Sequence, residues 1–337
     1  MMILARSSRI GARKPLARST PTFTIEPKGP FSLERSADVI NNFPPLRHQQ
    51  ATPQSIVLGF VLDKAYSSVA VGLHQDPTTG VIHGTAHGAQ ARDRIDTIRN
   101  QVARILSLDI DATDYPSIAK RDPKLAKVMR EYEGLRPVCF TSPYEAACWA
   151  VISQRIQKAQ AAKIVAELIR AHGESIPLPH AQVRTSVFPR PDRLLDVSVI
   201  SGLAPVKLPR LHAIAKAALD GDKLDADTIR DLGPEEGPKS LRSLPGIGSF
   251  WASGIYLRAC GVADVFPDEP LSIAALGALH GLGDKPSSAR LIQITNEYRP
   301  FRMWVAFLLR VAAGRSSGSL GNLRRREGAI RAASKRK

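Results

Sequence analysis

Apolar and polar positions recur with two different periods along the chain, and the change from one to the other divides it. Residues 22–25 alternate as a short strand, and residues 31–43 place Leu33, Ala37 and Ile40 at helical spacing. Three β-branched runs follow at 56–62, 69–75 and 81–85, separated by turn-rich segments such as Asp76-Pro77-Thr78-Thr79-Gly80. Ile95, Ile98, Val102, Ile105 and Leu106 then share one face of a helix. From about residue 115 the strand signals cease. Ser142-Pro143-Tyr144-Glu145 reads as a capping box with proline at the first helical position, opening a helix over 146–155. Residues 159–172 continue as helix and end at Gly173, where a C-cap is preferred. A stretch punctuated by Pro177, Pro179, Pro189 and Pro191 leads to predicted helices at 192–198, 209–219, 239–244, 249–260, 270–280, 287–297 and 300–313. The expected fold class is α+β: an N-terminal antiparallel sheet with helices at 22–114, then an all-helical, two-lobed core at 115–313.

Charge adds the ends. Residues 1–25 carry Arg6, Arg9, Arg13, Lys14 and Arg18 and no acid, while 314–337 carry eight bases against Glu327 alone. These tails, thirteen bases against one acid, hold +12 of the net +16. They read as disordered arms, 1–21 and 314–337, that solubilise the protein or tether it to a polyanion. The N-terminal arm also has the composition of a mitochondrial transit peptide, but the other tail shares that bias. No apolar run reaches the roughly 18 residues of a membrane span, so no membrane partner is expected. The three cysteines, Cys139, Cys148 and Cys260, are widely spaced and read as reduced, buried thiols of an intracellular protein. No side-chain metal site is expected from them, and His83 and His87 read as surface residues.

The sharpest motif is Leu244-Pro245-Gly246-Ile247-Gly248, lying between two helices within 241–255. Glycines there allow positive φ and close approach of a nucleic-acid backbone. The second helix, starting at Ser249, offers free amides and a positive dipole end to a phosphate. Leu244, Ile247, Ala252 and Ile255 are expected to lock the two helices together. An acidic pair, Asp268 and Glu269, lies in Val265-Phe266-Pro267-Asp268-Glu269-Pro270-Leu271. Asp268 alone could be a helix N-cap and nothing more. Phe250, Trp251, Tyr144, Trp149 and Trp304 are candidates to stack a base, although aromatics at helical positions usually belong to a core.

Hairpin and aspartate together resemble the helix-hairpin-helix DNA glycosylases, in which a catalytic aspartate follows the hairpin at the start of the next helix. Asp268 lies 23 residues after Pro245, with Leu271 completing an Asp-x-x-apolar pattern. Further segments resemble the 3-methyladenine DNA glycosylase II type: Gly134-Leu135-Arg136-Pro137, Ser142-Pro143-Tyr144-Glu145, Val151-Ile152-Ser153-Gln154-Arg155-Ile156, Phe188-Pro189-Arg190-Pro191, and the preceding α+β layer. The resemblance covers residues 22–313.

It implies base-excision repair of double-stranded damaged DNA by a monomer in the bacterial cytoplasm or the nucleus. A base is flipped out and its N-glycosidic bond hydrolysed, with alkylated purines as the substrate class. The hairpin residues Pro245, Gly246, Ile247, Gly248 and Ser249 would bind the DNA backbone, and Phe250, Trp251 and Tyr144 would form the base pocket. Gln154 and Arg155 would fill the gap left in the duplex, although the family places an apolar wedge at the second position. Spacing assigns catalysis to Asp268; the alternative is Glu269, which the paired acids of the alkylation-repair type would put in the role through a one-residue deletion. No redox cofactor is implied, and no cysteine follows residue 260 to hold an iron–sulfur cluster. Hairpin carbonyls could hold a monovalent cation. Lyase members carry a lysine five residues after the hairpin proline; here Phe250 stands there, implying a monofunctional enzyme. Two alternatives remain: an oxidised-guanine glycosylase, and a non-catalytic hairpin protein that grips DNA.

Overall fold

The computed structural model describes residues 20–179, 183–282 and 286–313; residues 1–19 of the basic arm and the tail from 314 lie outside them. The N-terminal layer contains β1 (Thr22–Ile25), α1 (Leu33–Asn42), β2 (Gln50–Ala51), β3 (Ser55–Val61), β4 (Ser68–Gln75), β5 (Ile82–His87) and α2 (Ile95–Ile105). Its strands form one antiparallel sheet in the order β1-β5-β4-β3-β2. Side chains of β3 alternate between two cores. Ile56, Leu58 and Phe60 pack with Leu33 and Ile40 of α1 and Ile98 and Val102 of α2. Val57 and Val61 belong to the larger core built on the helices that follow. Burial of both faces explains why β3 and β4 read as nearly continuous apolar runs.

The helical part comprises α3 (Ile118–Arg121), α4 (Ala126–Glu131), α5 (Pro143–Ser153), α6 (Lys158–His172), α7 (Pro191–Leu195), α8 (Leu208–Leu219), α9 (Ala226–Asp231), α10 (Gly233–Leu241), α11 (Ser249–Arg258), α12 (Pro270–His280), α13 (Ser288–Asn296) and α14 (302–313). Helix α5 is apolar on every side, and all its residues from Pro143 to Ile152 are buried. It therefore runs through the middle of the core. The chain thus has the α+β arrangement its periodicities predict, with one correction. Residues 174–187 are not a structureless linker: β6 (Glu174–Leu178) and β7 (Val183–Val187) form an antiparallel pair that joins the larger core through Ile176, Leu178 and Val187. Pro177 is tolerated because a two-stranded ribbon consists only of edges. Gly173 does cap α6, but with a negative φ. Glycine is needed there for space, since a Cβ would collide with the carbonyl oxygens of Ile169 and Val187.

Two charged residues fasten the layer to the helices. Ser142 caps α5 by accepting from the Glu145 N–H at 3.1 Å, one half of the capping box. Glu145 does not return the bond; its carboxylate accepts from the Val61 N–H of β3 at 3.0 Å. Arg136, on the extended segment before α5, is fully buried. It donates to the carbonyls of Pro30 (3.0 Å), Ser107 (3.0 Å), Ile110 (3.2 Å), Gly29 (3.1 Å) and Lys28, and its guanidinium lies 5.5 Å from the Trp304 ring of α14. The three cysteines are buried and free.

Candidate active site

The turn between α10 and α11 is tight because Gly246 takes φ +89°. Leu244, Ile247, Ala252 and Ile255 are buried and hold the two helices together, while Pro245, Gly248 and Ser249 stay exposed. Gly248 caps helix α11 without a side chain, so the first amides of the helix have no acceptor among the described residues. Helix α10 begins at Gly233, six residues before the predicted start. It contains Pro238, a residue that usually breaks a helix interior.

Along one side of α11, from Phe250 to Arg258, a cavity of about 770 Å³ opens, within the ~300–1,000 Å³ typical of small-molecule sites. One helix therefore joins the exposed turn to the cavity wall. Phe250, Trp251, Leu257 and Arg258 come from α11; Phe43 closes α1 and Trp149 belongs to α5. The loop before α12 contributes Asp268 and Glu269, and α14 contributes Phe307 and Arg310. Lys158, the first residue of α6, stands at the rim.

The two carboxylates differ in how they are held. Asp268 is exposed, and no side-chain hydrogen bond fixes it among the described residues. Glu269 is the N-cap of α12, and its backbone carbonyl accepts the first helical bond from Ile273 at 3.0 Å. Its side chain is only 13% exposed: one oxygen accepts from Arg310 Nη1 at 2.8 Å, the other from Ser272 Oγ at 2.8 Å. The supports of this loop are fixed in turn. Arg302 Nε donates to Asp264 at 2.7 Å, and the Met303 N–H of α14 donates to the Ala263 carbonyl at 2.8 Å. At the far end of α12, the Asp122 carboxylate accepts from Tyr298 Oη at 2.6 Å and lies 3.0 Å from His280 Nε2.

Arg258 ends α11 between two rings, 5.0 Å from Phe43 and 4.8 Å from Phe307. Its Nη2 donates to the Val138 carbonyl, and its Nε is buried without an acceptor among the described residues. Burial pushes its guanidinium down to about 10, the positive charge of Arg310 acting in the same direction.

Of the residues assigned to the base pocket, Phe250 and Trp251 line the cavity, with their rings 5.5 Å apart and edge to face. Tyr144 does not. It is fully buried, its hydroxyl donates to the Pro189 carbonyl at 3.0 Å, and Tyr66 and Phe188 pack on its ring. A tyrosine on the all-round apolar helix α5 is core. Gln154 also departs from expectation. Its side-chain amide donates to the Gly246 carbonyl, and its own oxygen accepts from Arg210 at 3.3 Å, so it braces the hairpin from behind. Arg155 is exposed, with φ +56°, beside the turn. The Gly246 carbonyl keeps a second lone pair, and hairpin carbonyls are the donor set a monovalent cation would use. Sequence reasoning missed Arg258 and Arg310, which lie far apart in the chain and meet only because α11 and α14 converge. It also missed the wall supplied by α1.

No family model matches the chain. Over 208 residues, 60% of this chain and 67% of the other, it is 26% identical to a Bacillus subtilis DNA-3-methyladenine glycosylase. Over 144 residues, 41% of this chain and 49% of the other, it is 32% identical to the Escherichia coli DNA-3-methyladenine glycosylase 2. Its backbone is similar to a 3-methyladenine DNA-glycosylase from Archaeoglobus fulgidus, with a TM-score of 0.68 at 22% identity, covering 86% of this chain and 97% of that one.

Proposed function

We propose, from the premise that this chain belongs to the helix-hairpin-helix DNA glycosylases of the 3-methyladenine DNA glycosylase II type, that it hydrolyses the N-glycosidic bond of alkylated purines flipped out of duplex DNA. The observation that carries this is the continuity of α11: its first amides are free at the hairpin, and its side from Phe250 to Arg258 walls a cavity holding a fixed carboxylate. Free amides at a helix start attract a phosphate. A nucleotide extruded beside that grip, at a cost of a few kcal/mol, would put its base between the aromatic walls.

Base loss leaves positive charge on the sugar, as in glycoside hydrolysis generally. A carboxylate placed beforehand in a water-poor site stabilises that charge, and loss of such a group costs on the order of 10²–10³ in rate. Against the assignment to Asp268 by spacing, we favour Glu269. Its carboxylate is shielded and held by Arg310 and Ser272, whereas Asp268 is exposed. A non-catalytic hairpin protein has no use for a held carboxylate at the wall of a cavity. An alkylated base that is already cationic leaves readily, so no second acid is required.

The absence of lysine at position 250 supports a monofunctional reaction that leaves the abasic sugar uncut. Lys158 at the rim is the amine that could overturn it. The test is to incubate the protein with methylated duplex DNA, identify the released bases, and treat a parallel sample with borohydride. Free methylated purines without a trapped adduct are expected. Absence of any released base would refute the glycosylase reading. An adduct lost on Lys158→Ala would refute the monofunctional one.

A further inference from the structure

Arg258 and Arg310 face the same cavity from different helices, and neither uses up its donors on the protein. Arg310 gives one N–H to Glu269, and no other acceptor meets its guanidinium among the described residues. Arg258 gives one to Val138 and keeps a buried Nε–H with no acceptor among the described residues. A buried donor without a partner is costly, and the open N–H groups of Arg310, whose side chain is 37% exposed, lie at the same wall, so the pair suits a ligand that accepts. Guanidinium groups offer donors only.

Purines differ where such donors matter. Guanine-type bases carry a carbonyl oxygen at position 6, an acceptor; adenine-type bases carry an amino group there, a donor. Methylation at ring nitrogen N3 leaves this difference in place and gives both bases the same charge. We propose that Arg310, seconded by Arg258, makes this pocket select 6-oxopurine lesions over 6-aminopurine lesions that carry the same modification. The inference rests on the cavity being the base pocket of a glycosylase. Arg310 thereby has two roles on different N–H groups, positioning Glu269 and reading the base. Only the second depends on which base is bound.

The test uses full-length protein and duplex DNA treated with dimethyl sulfate. Release of 3-methylguanine and of 3-methyladenine is timed for each, relative to spontaneous loss. With Arg310→Met, the ratio of the guanine rate to the adenine rate should fall about tenfold or more. Arg258→Met should move it the same way by less, and Arg310→Lys, which retains a charged donor, should restore part of it. If Arg310→Met slows both releases equally and leaves the ratio unchanged, Arg310 only positions Glu269 and the inference is overturned. Should Arg310→Met not fold, an unchanged ratio in both Arg258→Met and Arg310→Lys overturns it instead. If the unsubstituted protein releases neither base, the glycosylase reading has failed first.

Discussion

The junction between the sheet and the helices and the wall of the cavity are built from the same residue types, an arginine and a glutamate each, put to opposite use. At the junction, Arg136 donates to five backbone carbonyls, and Glu145 binds the end of β3. Both are buried, and their bonds are all internal. At the cavity, Arg310 and Glu269 hold each other, but the arginine keeps unused donors and the pair sits where a ligand can reach it. Closed pairing locks two layers together; open pairing holds charge ready. Burial alone does not tell a structural charge from a functional one, whereas unfinished hydrogen bonding does.

The largest separation between the two regions should come from the glutamates. Glu269→Gln should lower excision of a methylated purine by roughly 10²–10³ while leaving duplex affinity intact. Asp268→Asn should change excision only a few-fold. Single-turnover rates with a saturating duplex measure both, and a dead Asp268→Asn beside an active Glu269→Gln would move the assignment to Asp268.

The arginines separate along the other axis. Arg136→Met strands five carbonyls and should cost about 3–5 kcal/mol of stability, with the remaining folded protein still active. Arg310→Met breaks one partly exposed pair and should cost no more than about 1 kcal/mol. Denaturant melts of the two variants test this; equal losses would erase the distinction between closed and open pairing.

A smaller effect appears with pH. Burial pushes the Glu145 carboxyl from its ordinary 4.5 up to about 7. The native state therefore keeps this proton to a higher pH than the unfolded chain does. Stability should fall between about pH 4.5 and 7, by about 3 kcal/mol at most from this group. Asp63, pushed up to about 6 by burial against the pull of Arg104, adds a slope of the same sign. Glu145→Gln keeps an acceptor for Val61 and removes one of these titrations. Its stability at pH 8 relative to pH 5 should exceed that of the parent, and an unchanged slope would mean that Glu145 does not titrate there.

Much of the frame was legible in the sequence because it is local. Helical spacing in α1 and α2, the β-branched runs of β3 and β4, and the Pro-Gly-x-Gly turn each depend on neighbours a few residues apart. Glu145 shows where that stops. The motif locates the helix start, but only the fold reveals that the carboxylate reaches a strand 84 residues away. Tyr144 misled for a related reason: an aromatic beside a functional motif reads as site, yet α5 is enclosed on all sides. Arg310 was invisible because no spacing rule connects it to Glu269, 41 positions earlier.

The central claim is that Glu269, held by Arg310, faces the sugar of a nucleotide whose base fills the cavity. A structure of the Glu269→Gln protein bound to a duplex with an uncleavable alkylated purine nucleotide would test it most directly. The base should lie between Trp251 and the opposing wall, with the sugar C1′ within roughly 4 Å of the side-chain amide at position 269, the reach expected for reacting groups. A base outside the cavity, or a C1′ against Asp268 with residue 269 out of its reach, would contradict it.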